Sequence, residues 1–299
     1  MIGRLRLGGL AATAALLGAG GYAAAAPASA AASGPYVCSG TLSSPGVLAG
    51  KFGNVEVSGF CAVNGGPATV YGDLTVRAGG ALVAAFALND VTGHGTSNLI
   101  VDGSLHIDRG GAMVLGCLPT SFPCIDDPDP NNPTLSSHDR IGHDLTSYRP
   151  LGVVVHNTRI GGSVSETGGG GGFNCNPTGV FAAFGSPVYS DYEDMDIVGG
   201  LSVDHLTSCW LGVARVHLGG GLRIVNDRLN DPDAIEIIAN NVGQNLVCRG
   251  DTMTWDSADL TENLFPREPE PNIVHGKRFG QCVLSSPLKP GGRRGPGPF

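Results

Sequence analysis

The stretch Gly72–Val83, GDLTVRAGGALV, decides the fold. Leu74 and Val76 alternate with Asp73, Thr75 and Arg77; the pair Gly79-Gly80 follows, and then a second apolar run. An alternation of period two reads as a short strand with one buried face. Paired glycines suit a corner, because a residue without Cβ takes backbone angles that other residues avoid. Leu74 and Val76 are therefore expected to face inward and Asp73, Thr75 and Arg77 to face solvent.

The unit recurs. GNVEV (Val55, Val57), GSLHI (Leu105, Ile107), GSVSE (Val164), GGLSV (Leu201, Val203) and GGLRI (Leu222, Ile224) each set a glycine two places before the first large apolar residue. GHDLT (Leu145) and GQNLVC (Leu246) set it three places before. The step from Val55 to Leu74 is 19 residues, from Leu201 to Leu222 21, and from Leu222 to Leu246 24. The 37-residue step from Val164 to Leu201 reads as close to two units, and the step from Leu74 to Leu105 holds an extra run, SNLIV. A period near twenty predicts an all-β right-handed parallel β-helix (β-solenoid), disulfide-stapled and carrying loop insertions. One turn cannot bury its own apolar face, but turns stacked about 4.8 Å apart can. Residues 38–283 would hold roughly a dozen such turns. Sandwiches lack so short a period, and propeller blades need about 40 residues each.

Composition agrees. The 299 residues include 48 Gly and 20 Pro, with 41% hydrophobic and 15% charged residues, which suits a turn-rich β fold with a real core. Residues 1–30, with Arg4, Arg6, an Ala/Leu-rich run and Ala28-Ser29-Ala30, read as a signal peptide, followed by a linker over 31–37. Its removal takes two of the 18 basic residues and none of the 26 acidic ones, moving the formal charge from −8 to −10. An acidic surface without a basic stripe argues against nucleic acid, and no later run is long and apolar enough for membrane insertion. The protein is expected to be secreted, extracellular or attached to the cell wall, and monomeric, with a disordered Pro/Gly tail over 284–299.

Cys38, Cys61, Cys117, Cys124, Cys175, Cys209, Cys248 and Cys282 are an even set in an exported chain, which reads as disulfides. Eight cysteines allow 105 pairings; the sequential one (38–61, 117–124, 175–209, 248–282) is expected. No C-x-x-C pair occurs, so no metal site is expected from them.

The glycine–apolar cassettes, the export signal and the cysteine pattern resemble the exported right-handed parallel β-helix proteins of actinobacteria, similar in architecture to the pectin-lyase-like superfamily. The resemblance spans Cys38 to Cys282. It implies an architecture and carries no reaction with it.

Function is sought where the repeat breaks. Over 117–139, prolines forbid regular strand and predict a protruding loop. There Asp127, Asp129 and Asn131 match the start of a calcium loop, but Asn132 and His138 replace its turn glycine and terminal Glu, so a solvated turn is the first reading. Over 166–200, Gly168–Gly172 predicts a flexible hinge. Asp191, Glu193, Asp194 and Asp196, with Arg215, are the candidate catalytic residues. Tyr189, Tyr192 and Trp210 are the candidate ligand-stacking residues of a saccharide groove. Asp194 and Asp196 are expected to share one strand face. Over 240–272 the composition predicts that the chain leaves the repeat, with Trp255 and Phe265 capping the last strand edge. No G-x-S-x-G, H-E-x-x-H or phosphate-binding loop is present. The expectation is a structural or ligand-binding module without a cofactor, its partner an extracellular polysaccharide. The alternative is a polysaccharide lyase or glycoside hydrolase acting on acidic polysaccharide.

Overall fold

The computed structural model describes residues 34–230, 235–252, 254–256 and 272–283. The expected signal peptide over 1–30, Phe265 and the expected tail over 284–299 lie outside them. From Pro35 onward the described chain winds as a right-handed parallel β-helix of three long sheets, each complete turn adding one strand to each, with a short two-stranded pairing of Thr207–Ser208 and Arg228–Leu229 beside them. The first sheet has ten strands, from Tyr36–Cys38 to Arg278–Gly280. The second runs from Gly46–Val47 to Thr254–Asp256 and the third from Gly50–Phe52 to Ile273–Val274, with nine strands each.

The repeat sets the register. Val55, Leu74, Leu105, Leu145, Val164, Leu201, Leu222 and Leu246 stack as neighbours down the first sheet. They line the core together with Val57, Val76, Ile107, Val203 and Ile224. Thr75 is half-buried and Arg77 exposed on the opposite side, as the alternation requires.

Two expectations are corrected here. The described residues make nine complete turns and the first strand of a tenth, not a dozen, because long intervals are single turns with insertions. Val164 and Leu201 are direct register partners, so the 37-residue interval is one turn. The run SNLIV supplies Leu99–Val101, an ordinary third-sheet strand, rather than an extra unit. Nor does the repeat end at Asn240. Leu246–Arg249 continues the first sheet, and Asn240 and Asn272 stack inside the coil, where the Asn240 amide donates to Asn272 Oδ1 at 2.9 Å and to the Val213 carbonyl at 2.8 Å. Trp255 belongs to the last strand of the second sheet.

The glycine run is not a hinge. All five residues of Gly168–Gly172 have φ between 63° and 90°. Their N–H groups donate in alternation to neighbouring turns: Gly168 to Asp204 O, Gly170 to Pro150 O and Gly172 to Thr207 O. A Cβ on Gly169 would lie 2.2 Å from Pro150 O, whereas one on Gly172 would meet nothing within 4 Å. Gly169→Ala is therefore expected to cost about 3 kcal/mol, combining clash with left-handed strain, and Gly172→Ala about 1 kcal/mol from strain alone. Chemical denaturation of both variants checks this; equal costs would mean that the segment yields to the new side chain.

The four disulfides Cys38–Cys61, Cys117–Cys124, Cys175–Cys209 and Cys248–Cys282 are present, and no described cysteine is free. Such a set suits an oxidising, extracellular environment.

The middle strands of the second sheet are covered on both sides, unlike those toward its ends, Gly46–Val47 and Ile235–Ile238. Gly152–His156, Tyr189–Glu193 and most of Trp210–Ala214 are buried throughout. Their inner residues, among them Val153, Val155, Tyr192, Leu211 and Val213, join the coil core. On the outer side Val83, Val114, Val154 and Tyr189 form a second apolar cluster with residues of two insertions: Cys117 and Cys124 from the loop over 116–138, and Val180 and Phe181 from the short helix Val180–Phe184. Gly152 admits this roof, since a Cβ there would meet the Phe181 ring at 2.5 Å.

Candidate functional site

Polar residues concentrate at the end of that covered face. Along each second-sheet strand alternate residues point outward, so Asp191 and Glu193 share a side, as their spacing of two demands. His156 lies beside Glu193 in the ladder, and Asp191 lies beside Val154. The chain then turns sharply. Asn157, Asp194, Arg215 and Ala239 stand one residue past successive strands, all with φ between 43° and 55°. This column of left-handed corners stacks Asp194 on Arg215.

Contacts follow from that stacking. Arg215 Nε donates to Asp194 Oδ1 at 2.7 Å, and Nη2 donates to Asp194 Oδ2 at 3.0 Å and to Glu193 Oε2 at 2.6 Å. Ser121 of the loop donates to Asp194 Oδ2 at 2.7 Å, latching the loop to the corner. Phe122 lies flat on the His156 ring, with centroids 4.4 Å apart and 9° between planes. His156 Nδ1 is 3.3 Å from Glu193 Oε2, and Nε2 is 3.5 Å from Asp191 Oδ2. Neither ring nitrogen makes a hydrogen bond, and Asp191 Oδ1 also lacks a partner.

The side chains of His156, Asp191 and Glu193 are only 2–3% exposed, whereas Arg215 reaches 32%. Burial, and then the charge of Glu193, push the Asp191 carboxyl well above its usual range, with Arg215 opposing. At Asp194 burial also raises the carboxyl, but the hydrogen bonds from Arg215 and Ser121 outweigh it and hold the group below the usual range. The site is thus a sealed acid–base cluster with one guanidinium leading to solvent.

The structure brings together Asp191, Glu193, Asp194 and Arg215, and leaves Asp196 apart. The expected shared face of Asp194 and Asp196 is corrected: the left-handed corner at Asp194 ends the strand, and Asp196 starts a third-sheet strand, exposed beside His217 at 3.2 Å. Tyr192 points into the coil, fully buried, and donates to Glu166 Oε2 at 2.8 Å, so it offers a ligand no surface. Tyr189 and Trp210 pack edge to face at 5.7 Å, with Tyr189 also against Phe181 at 5.6 Å under the roof. Asp127 accepts N–H bonds from Asp129, Thr134 and Leu135, and Asp129 accepts one from Asn131, which folds this loop segment on itself. Sequence reasoning missed His156, Ser121 and Phe122. His156 ends the apolar run GVVVH in phase with Val154, a polar residue in an outward column, and that phase was the available signal.

A second polar region lies open on the outer side of the first sheet. Thr75, His106, Thr146, Ser165, Ser202 and Arg223 stack in one outward column. At its lower end a shallow hollow has Gly200 and Gly221 in its floor and Ser165, Ser202, Arg223 and Asn245 around it. No protein-family model, curated protein or solved structure matches this chain.

Proposed function

We propose that the protein works outside the cell as a non-catalytic, disulfide-tied β-helix that presents its first-sheet face to an extended polysaccharide. The observation carrying this reading is the outward column from Thr75 to Arg223, which repeats hydrogen-bonding groups about every 4.8 Å above a glycine-floored hollow. A polymer with regularly spaced hydroxyl groups fits such an array, and Arg223 adds a cation for any acidic substituent. Export through residues 1–30 and kinship with secreted actinobacterial β-helix proteins belong to the same reading.

The sealing of His156, Asp191 and Glu193 weighs against the lyase or hydrolase alternative. A glycosidic bond would have to pass the Ser121 latch and the Phe122 ring to reach them. Sedimentation of the protein with insoluble polysaccharides and a glycan array, run beside assays for reducing ends and unsaturated products, test the choice. Binding without product release is expected, with a tenfold or greater loss of affinity in the double variant Ser202→Ala/Arg223→Ala at unchanged Tm. Product release from an acidic polysaccharide would sink the non-catalytic reading, and binding unaffected by the double variant would sink the assignment of the face.

A further inference from the structure

We propose that His156, Asp191 and Glu193 form a binding site for one divalent transition-metal ion, zinc in the first instance. This goes beyond the polysaccharide reading and does not depend on it. One ligand atom from each of the three residues lies within 4.8 Å of the others. The backbone sets this arrangement, because His156 and Glu193 are ladder neighbours and Asp191 is two residues back on the same side of its strand.

The imidazole is the telling group. A ring buried to 2% exposure normally hydrogen-bonds through at least one nitrogen, yet both nitrogens of His156 are unpartnered, as is Asp191 Oδ1. The oxygens facing the ring stand at 3.3 and 3.5 Å. Both are long for a charged hydrogen bond, and they lead to different ring nitrogens, Nδ1 and Nε2, of which one ion binds only one. The ion would therefore draw the second carboxylate toward that nitrogen, from the 4.8 Å that now spans one atom of each residue to the roughly 3.3–3.4 Å that separates donors about 2.0–2.1 Å from a tetrahedral zinc. Charge points the same way. Two carboxylates are buried here, and the guanidinium of Arg215 is shared between Glu193 and Asp194. A dication would neutralise the buried pair.

The donor set selects the ion. One imidazole nitrogen with carboxylate oxygens suits zinc, manganese or ferrous iron, whereas calcium takes six to eight oxygens. With Phe122 over His156 and Ser121 latched to Asp194, the site is walled off from bulk solvent, and its three protein donors leave a fourth position of a tetrahedral ion for water. The ion would tie the loop over 116–138 to the second sheet.

The test uses the full chain, stripped with EDTA, dialysed and titrated with zinc chloride alone. Calorimetry and elemental analysis are expected to give one zinc per chain, with Tm rising on the order of 5–10 °C at a hundredfold excess over Kd and returning with EDTA. Calcium chloride is expected to produce no saturable rise. His156→Ala and Glu193→Gln should lose the zinc, while His94→Ala, an exposed loop histidine, should keep it. Far-UV circular dichroism and a free-thiol assay establish that the variants are folded. Failure of the unaltered protein to take up zinc overturns the proposal whatever the variants do, as does zinc that survives His156→Ala or leaves with His94→Ala. Saturable calcium binding in place of zinc overturns the choice of a transition metal.

Discussion

Replacing Arg215 with Met in metal-free protein is expected to lower the unfolding free energy by about 3–5 kcal/mol, enough to drop Tm by roughly 10 °C. The reason is what the guanidinium leaves behind. Glu193 is buried, and Arg215 Nη2 donates to it at 2.6 Å while the rest of the fork holds Asp194. Removing one partner of a buried pair strands the other charge in a medium that solvates it poorly. Asp191, beside Glu193, then loses the positive charge that opposes the rise of its own carboxyl. Arg215→Lys should recover only part of the loss, since an ammonium cannot span Asp194 and Glu193 with a planar fork. In a Glu193→Gln background the same Arg215→Met change should cost clearly less. Guanidinium denaturation of the four proteins measures the coupling; a single-variant cost below about 0.5 kcal/mol would show that water already solvates this corner.

Stability is expected to fall as pH rises from about 4.5 to 8, the opposite of the usual behaviour of paired surface carboxylates. Glu166 sits in an inward column of the first sheet, fully buried, accepting from Ser190 Oγ and Tyr192 Oη at 2.8 Å each. Burial outweighs both hydrogen bonds and raises its carboxyl from 4.5 to about 7. Burial likewise raises Asp139 to about 7, Asp227 to about 8 and Asp251 to about 7. These groups hold their protons in the folded chain and release them at about 4 to 4.5 when it unfolds. The folded state therefore binds more protons across this window, and its advantage, complete below the unfolded values, is lost as pH climbs through about 7 to 8. For Glu166 alone the change is on the order of 3 kcal/mol, because each tenfold gain in proton affinity is worth about 1.36 kcal/mol. Glu166→Gln keeps a polar group between Ser190 and Tyr192 but cannot ionise, so its stability should be flatter between about pH 5 and 8. Denaturation at both pH values checks this, and parallel profiles for the two proteins would assign the slope to other groups.

Glu166 also shows how far the sequence could be read. In GSVSE it occupies the place that Val57, Val76 and Ile107 hold in their turns. The register made it an inward residue, and the anomaly was legible as a carboxylate in an apolar column. The candidate acids were partly legible too. Spacing of two put Asp191 and Glu193 on one side of a strand, and the corner that follows was hidden because its left-handed residues are Asp194, Arg215 and Ala239 rather than glycine. The glycine run misled for the converse reason. Five glycines look flexible in isolation, but here the neighbouring turns supply carbonyls for their N–H groups.

What the sequence by itself determined is the coil. An apolar residue recurring near every twentieth position, with alternation on either side, stacks turn on turn because no single turn can bury its own face. The inward columns follow from that local rule. What only the tertiary structure decided is the fate of the second sheet's outer face. The insertions over 116–138 and 168–188 come from different turns, and their Phe122 and Phe181 reach that face through contacts that no periodicity encodes. That roof withdraws His156, Asp191 and Glu193 from water, and burial rather than composition turns three ordinary polar residues into a site.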